Sequence, residues 1–127
     1  MEKEKLIKLI IDSAYEVRNN LTPGYFEEVY KRALMVELQL HSIHVESEVP
    51  LKVIYKGHVI SHFRADIIVD GRVIIELKAI EHLVKLNEIQ LVNYLNATGI
   101  DDGLLINFGC QDKLELKRKF RVYNARR

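Results

Sequence analysis

The chain has 127 residues, 48% of them hydrophobic, and a formal net charge of +1. That is the size of one ordinary domain with a real core, and no apolar run approaches the ~20 residues a membrane-spanning helix needs. The charge balance argues against a strongly basic, nucleic-acid-coating protein, and a single cysteine, Cys110, excludes an internal disulfide and a zinc site built from cysteines.

Residues 3 to 18 place Leu6, Ile7, Leu9, Ile10, Ala14 and Val17 at helical spacing. Lys8, Asp12 and Glu16 interrupt the apolar run, so this reads as a retained amphipathic helix and not a secretion signal, which suits a cytoplasmic protein without a membrane partner. "NNLTPG" breaks that helix. Thr22 can cap a second one, with Pro23 in its first turn and Phe26, Val29, Tyr30, Ala33, Leu34 and Leu38 turned inward to about Leu40. Residues 43 to 55 alternate and are β-branched, predicting a strand bent at Pro50. "KG" at 56–57 turns into a strand over 58–69, and "DG" at 70–71 into another over 72–79. A helix follows over 83–97, stopped by Gly99. "GLLINF" (103–108) is a short apolar strand, and Leu114 to Tyr123 is an edge strand or a helix. The order ααβββαβ predicts an α/β (α+β) domain with helices on one sheet. From Lys113 to Arg127 there are seven Lys or Arg against one acid, Glu115. This is either a solvated element or a phosphate-facing edge, with Lys117 and Arg118 as its candidates.

The chemistry lies in the second and third strands. Phe63, Ala65, Ile67 and Val69 are apolar at alternate positions, as are Val73, Ile75, Leu77 and Ala79. A two-residue turn at Asp70-Gly71 would set Ile68 against Val73 and Asp66 against Ile75, mixing the faces. Shifting by one residue sets Val69 against Val73, Ile67 against Ile75 and Asp66 against Glu76. A three-residue loop over 70–72 is therefore expected, with Arg64 and Lys78 beside the two acids. Adjacent carboxylates repel each other, and a divalent cation between them would explain the pair. Lys78 could then hold an attacking water or developing negative charge. A ladder of exposed ion pairs explains the same residues with no chemistry.

Asp66, followed by Glu76-x-Lys78 on the next strand, resembles the PD-(D/E)XK nuclease superfamily, whose core is αβββαβ. "GYFEEVY" (24–30) fits G-x-x-E-x-x-Y through Gly24, Glu27 and Tyr30. "RADIIV", "IELKA", "QLVNYL" and "GLLINFG" follow in the order seen in the GxxExxY protein family, a bacterial and archaeal branch of that superfamily. The resemblance covers residues 20 to 120. It implies a restriction-endonuclease-like αβββαβ core with a mixed sheet flanked by helices. In a single domain over 1–127, an extra N-terminal helix (1–19) would precede that core and a basic tail (121–127) would follow it.

The resemblance also implies a metal-dependent nuclease acting on nucleic acid, DNA ahead of RNA, with Mg²⁺ or Mn²⁺ as cofactor. Asp66, Glu76, the Leu77 carbonyl and Glu27 would be the metal ligands, Glu27 through water. Lys78 would be the catalytic lysine. Gln90 and Tyr94 form a Q-x-x-x-Y similar to that of lambda-type and recombination exonucleases, where it orders the site and touches DNA. Arg64 and Tyr30 are further nucleic-acid candidates. Ala65 replaces the proline of the motif, at a position that varies widely in the superfamily.

Read alone, each residue has a plainer role. Glu27 is a first-turn helix acid, Tyr30 a core aromatic with a bonded hydroxyl, Gln90 a surface amide and Tyr94 a core ring. His62 is a solvated histidine, and His41, His44, His58 and His82 show no metal-ligand spacing. Cys110 is a semi-buried thiol, while Asn107 and Gly109 are strand-end turn residues. A nuclease-fold binding or assembly module without turnover is the competing function. The N-terminal helix could cover the sheet or pair with a second copy as a homodimer.

Overall fold

The computed structural model describes residues 1–122, so residues 123–127 of the predicted basic tail lie outside the described residues. Helices α1 (Lys3–Asn20) and α2 (Glu27–Leu40) precede strands β1 (Val45–Tyr55), β2 (His58–Val69) and β3 (Val73–Lys78). Helix α3 (Lys85–Thr98), β4 (Asp102–Asn107) and β5 (Glu115–Phe120) complete the chain. The strands form one sheet in the order β1-β2-β3-β4-β5. Only β3 and β4 run parallel, joined by the α3 crossover, so the sheet is mixed as expected.

The sheet separates two apolar layers. On one face Leu6, Ile7, Ile10, Ala14 and Val17 of α1 join Tyr30, Leu34 and Leu38 of α2 against Ile67, Val69, Val73, Ile75, Leu104 and Ile106. Helix α1 therefore covers the sheet of its own chain. Its N-terminus is also anchored electrostatically. Asp102, 1% exposed, pairs with Lys3 at 2.8 Å and Arg118 at 2.7 Å, and Arg118 also reaches Glu4 at 2.8 Å. Arg118, expected on nucleic acid, is engaged here in a structural ion-pair network. Lys117 is exposed on the same edge strand, separated from β3 by β4. On the other face Leu91 and Leu95 of α3 pack on Ala65, Ile68, Ile74 and Leu105.

The β2–β3 register is the shifted one: Val69↔Val73, Ile68↔Ile74 and Ile67↔Ile75, with Arg72 N–H returning to the Val69 carbonyl across the loop. The expected single core face of β2 does not hold along the strand. Ile67 and Val69 face α1 and α2, whereas Ala65 belongs to the layer under α3 and Phe63 stacks on Tyr94 of α3. The reversal falls at Asp66, opposite Glu48, whose φ is +53°. Ladder pairing resumes on either side as Ser47↔Ile67 and Val49↔Ala65. A left-handed residue turns the pleat over, so alternation read through it assigns the wrong face.

Helix α2 also differs. It starts at Glu27, with Phe26 at its N-cap and no side-chain cap, whereas Thr22 was expected there. Residues 22–25 instead wrap the Tyr30 hydroxyl, which donates to the Thr22 carbonyl and accepts from Tyr25 N–H. Phe26, expected inside, is 88% exposed, and Val29 is exposed as well. Tyr30 itself is fully buried, stacked on Phe108 with ring centroids 4.9 Å apart. That burial corrects its expected contact with nucleic acid and supports the core reading.

The C-terminal end of β4 is held by a buried side chain. Asn107 Oδ1 accepts from Ile80 N–H and Gly109 N–H, and its Nδ2 donates to the Ile80 carbonyl and to Glu115. Gly109 packs so closely that a Cβ there would lie 2.4 Å from Ile80 N and O. Gly109→Ala is therefore expected to cost about 2–4 kcal/mol of stability, since backbone atoms cannot rotate aside as a side chain can. Chemical denaturation of the purified variant measures this, and a loss of only a few tenths would mean the loop simply shifts.

Candidate active site

Asp66 and Glu76 meet where the β2–β3 ladder ends. Asp66 N–H donates to Glu76 Oε1 at 3.1 Å, and Leu77 N–H donates to Asp66 Oδ2 at 2.8 Å. Each carboxylate thus caps backbone of the other strand. Glu76 is 8% exposed. Burial, then the Asp66 charge, pushes its carboxyl up to about 8. Burial also raises Asp66, against the opposing bond from Leu77 N–H.

Other elements bring groups to the same place. Glu27, the first residue of α2, has its carboxyl raised by burial and then by Asp66, with Lys78 and Lys31 opposing. Lys78 ends β3, and its ammonium charge acts on Asp66, Glu76 and Glu27 alike. The Tyr94 phenol of α3 is raised by burial, then by the charges of Glu76 and Asp66. Gln90 lies exposed one turn earlier on α3. Arg64 is exposed on the rim, with one long bond to the Glu48 carbonyl at 3.2 Å.

Glu27 stands off from the other two acids. Among the described residues, only His82, Cys110 and Glu115 bring three such ligand atoms within 4.8 Å of one another. Sequence reading found no ligand spacing in that trio. It also missed Lys31, 6% exposed and bridged to Glu28 at 3.1 Å and Glu48 at 3.5 Å. Lys31 follows Glu27 by one helical turn, a signal that was available.

The donor set suits a hard divalent cation. It consists of carboxylate oxygens that are buried, close together and reluctant to ionise side by side, which a cation relieves as a proton does. Asp66 and Glu76 each spend one oxygen on a backbone N–H and keep another.

A model of the PD-(D/E)XK nuclease superfamily matches residues 4–119, and the chain belongs to that superfamily. The crystal structure of SSO0001 is similar in fold, with a TM-score of 0.56 at 20% identity over 76% of this chain. The matched region is 50% of that protein, so the chain spans about half its length. No curated protein sequence matches the chain.

The raised acids make stability fall with pH. The folded protein holds protons on Glu76 and Asp66 that the unfolded chain releases in the ordinary carboxyl range. Stability is therefore full below that range and is lost as pH rises toward 8. In metal-free protein, Glu76→Gln keeps the acceptor for Asp66 N–H and removes the charge. It should flatten this dependence and stabilise the protein at pH 8 by roughly 1–3 kcal/mol. Melting curves from pH 5 to 8 with chelator decide it, and a variant as pH-dependent as the parent would refute the buried pair.

Proposed function

We propose that this protein is a divalent-metal-dependent nuclease that hydrolyses phosphodiester bonds of DNA without strong sequence specificity, on the GxxExxY branch of its superfamily. The observation that carries the reading is that Asp66 and Glu76 cap each other's strand where the β2–β3 ladder ends, with Glu27 of α2 and Lys78 of β3 near enough to act on their charge. A ladder of surface ion pairs would leave the three carboxyls solvated, whereas burial raises each of them.

Mg²⁺ or Mn²⁺ would supply Lewis acidity at the phosphoryl oxygen and an acidified water. Asp66 and Glu76 would hold the ion, with the Leu77 carbonyl beside them and Glu27 acting through water. The Lys78 ammonium would orient the attacking water and stabilise charge developing on the phosphoryl group. Tyr94 would position substrate, with Gln90 one turn away on the same helix face.

A groove of ≈ 580 Å³ opens beside Tyr94 and is lined by Lys52, Ile54, Phe63 and Asn93. Phe63 and Tyr94 stack at 4.1 Å between centroids. Stacked rings with a lysine at the rim suit an unpaired base and its phosphate, favouring single-strand or end-directed handling over base reading in a duplex groove.

Cleavage of end-labelled single-stranded DNA, duplex DNA and RNA with Mg²⁺, Mn²⁺ or EDTA tests the reading. Products should require the metal and fall at least about a hundredfold in folded Asp66→Ala and Lys78→Ala proteins. Phe63→Ala should weaken single-strand substrates more than duplex ones. Binding of DNA without cleavage, unchanged by Asp66→Ala, would instead identify a catalytically silent nuclease-fold module.

A further inference from the structure

Outside the carboxylate site, two loop side chains meet the first side chain of β5. His82 follows β3, Cys110 follows β4, and Glu115 opens β5. Glu115 Oε2 lies 3.3 Å from His82 Nδ1, and Cys110 Sγ lies 3.8 Å from the same nitrogen. We propose that these three side chains form a Zn²⁺ site, separate from the acidic centre and selective for a softer ion.

Three observations carry this. The spacing suits an ion at the centre: tetrahedral Zn²⁺ at ordinary ligand distances sets neighbouring S, N and O atoms about 3.3–3.6 Å apart. The donor set of one sulfur, one imidazole nitrogen and one carboxylate oxygen is chemistry that Zn²⁺ accepts and Mg²⁺ does not favour. Finally, Glu115 is already aimed. Its Oε1 is held by Leu83 N–H at 2.8 Å and Asn107 Nδ2 at 2.8 Å, leaving Oε2 to His82, with the Cys110 sulfur in the same cluster of ligand atoms, all within 4.8 Å of one another. Hydrogen bonds that fix a carboxylate this way are the outer-shell support of metal ligands.

A nucleophilic thiol does not fit the same geometry. There, a histidine uses one ring nitrogen on the thiol and the other on an orienting carboxylate. Here Cys110 and Glu115 both approach Nδ1. Cys110 is 1% exposed while His82 is exposed, so the fourth position of the ion would open to solvent on the histidine side. The ion would tie the loop after β3 to the loop after β4 and so brace the entry to α3. The Cys110 thiol proton would be released to solvent on binding.

The test titrates chelator-stripped protein with Zn²⁺ in excess Mg²⁺ by calorimetry, then counts zinc after desalting. Wild type and Asp66→Ala should each retain one zinc per chain. His82→Ala, altered at an exposed position, and Cys110→Ser should bind about 10–100-fold more weakly while keeping a native circular dichroism spectrum. Co²⁺ should give a thiolate charge-transfer band with wild type that Cys110→Ser lacks. No zinc uptake by wild type would overturn the proposal, as would uptake insensitive to both loop variants. Uptake abolished by Asp66→Ala alone would place the ion on the acids and overturn it equally.

Discussion

Two carboxyl groups buried side by side constrain everything around them. An unpaired buried charge is costly, and two of like sign more so. Asp66 and Glu76 meet that cost partly by capping backbone amides across the strand gap, Asp66 N–H to Glu76 and Leu77 N–H to Asp66. These bonds stand where the next rung of the β2–β3 ladder would be, so the site is made from the sheet's own unpaired donors. The remaining cost appears as raised proton affinity. Stability gains nothing from such a pair in a domain with only a few kcal/mol to spare.

The reversal of β2 at Asp66 gives that pair its neighbours. Had the strand kept one face inward, Phe63 and Ala65 would lie under α1 and α2 with Ile67. Instead, the left-handed Glu48 turns the hairpin so that Phe63 reaches Tyr94 on α3. Asp66 is left at the seam between the two apolar layers. The N-terminus of α2 arrives from one side with Glu27 and Lys31, and α3 arrives from the other with Tyr94. Acids, cations and an aromatic platform thus converge because the sheet twists over at one residue.

Much of this was legible in the chain. The period-two apolar pattern excluded the two-residue turn and set Asp66 beside Glu76, because a one-residue slip would have exposed a whole face. The order of elements and the superfamily motif were equally clear. What escaped depends on contacts distant in sequence or on backbone that carries no pattern. A positive φ at a glutamate leaves no mark, so the face reversal was missed. The late start of α2 follows from Tyr30 drawing residues 22–25 around its hydroxyl, against an apparently good Thr22-Pro23 start. Arg118 looked free because its partners, Glu4 and Asp102, lie 114 and 16 positions away. His82, Cys110 and Glu115 come from two loops and the start of β5 and have no spacing to recognise.

Asn107 links the two halves of the chemistry. Phe108 N–H bonds the Lys78 carbonyl, and Asn107 closes on both backbone groups of Ile80. The segment leaving the end of β3 is therefore strapped to the end of β4, so Lys78 emerges on a fixed course. The same Asn107 amide holds Glu115, and Gly109 lets the backbone lie flat against Ile80. A side chain that looks like turn chemistry thus fixes both the lysine beside the acids and the carboxylate beside His82 and Cys110. Disturbing it would be felt at both places, though no ligand of one touches a ligand of the other. The two clusters differ in donor character, all oxygen on one side and sulfur, nitrogen and oxygen on the other. On the proposed reading, hard and softer ions would be told apart by where each lands.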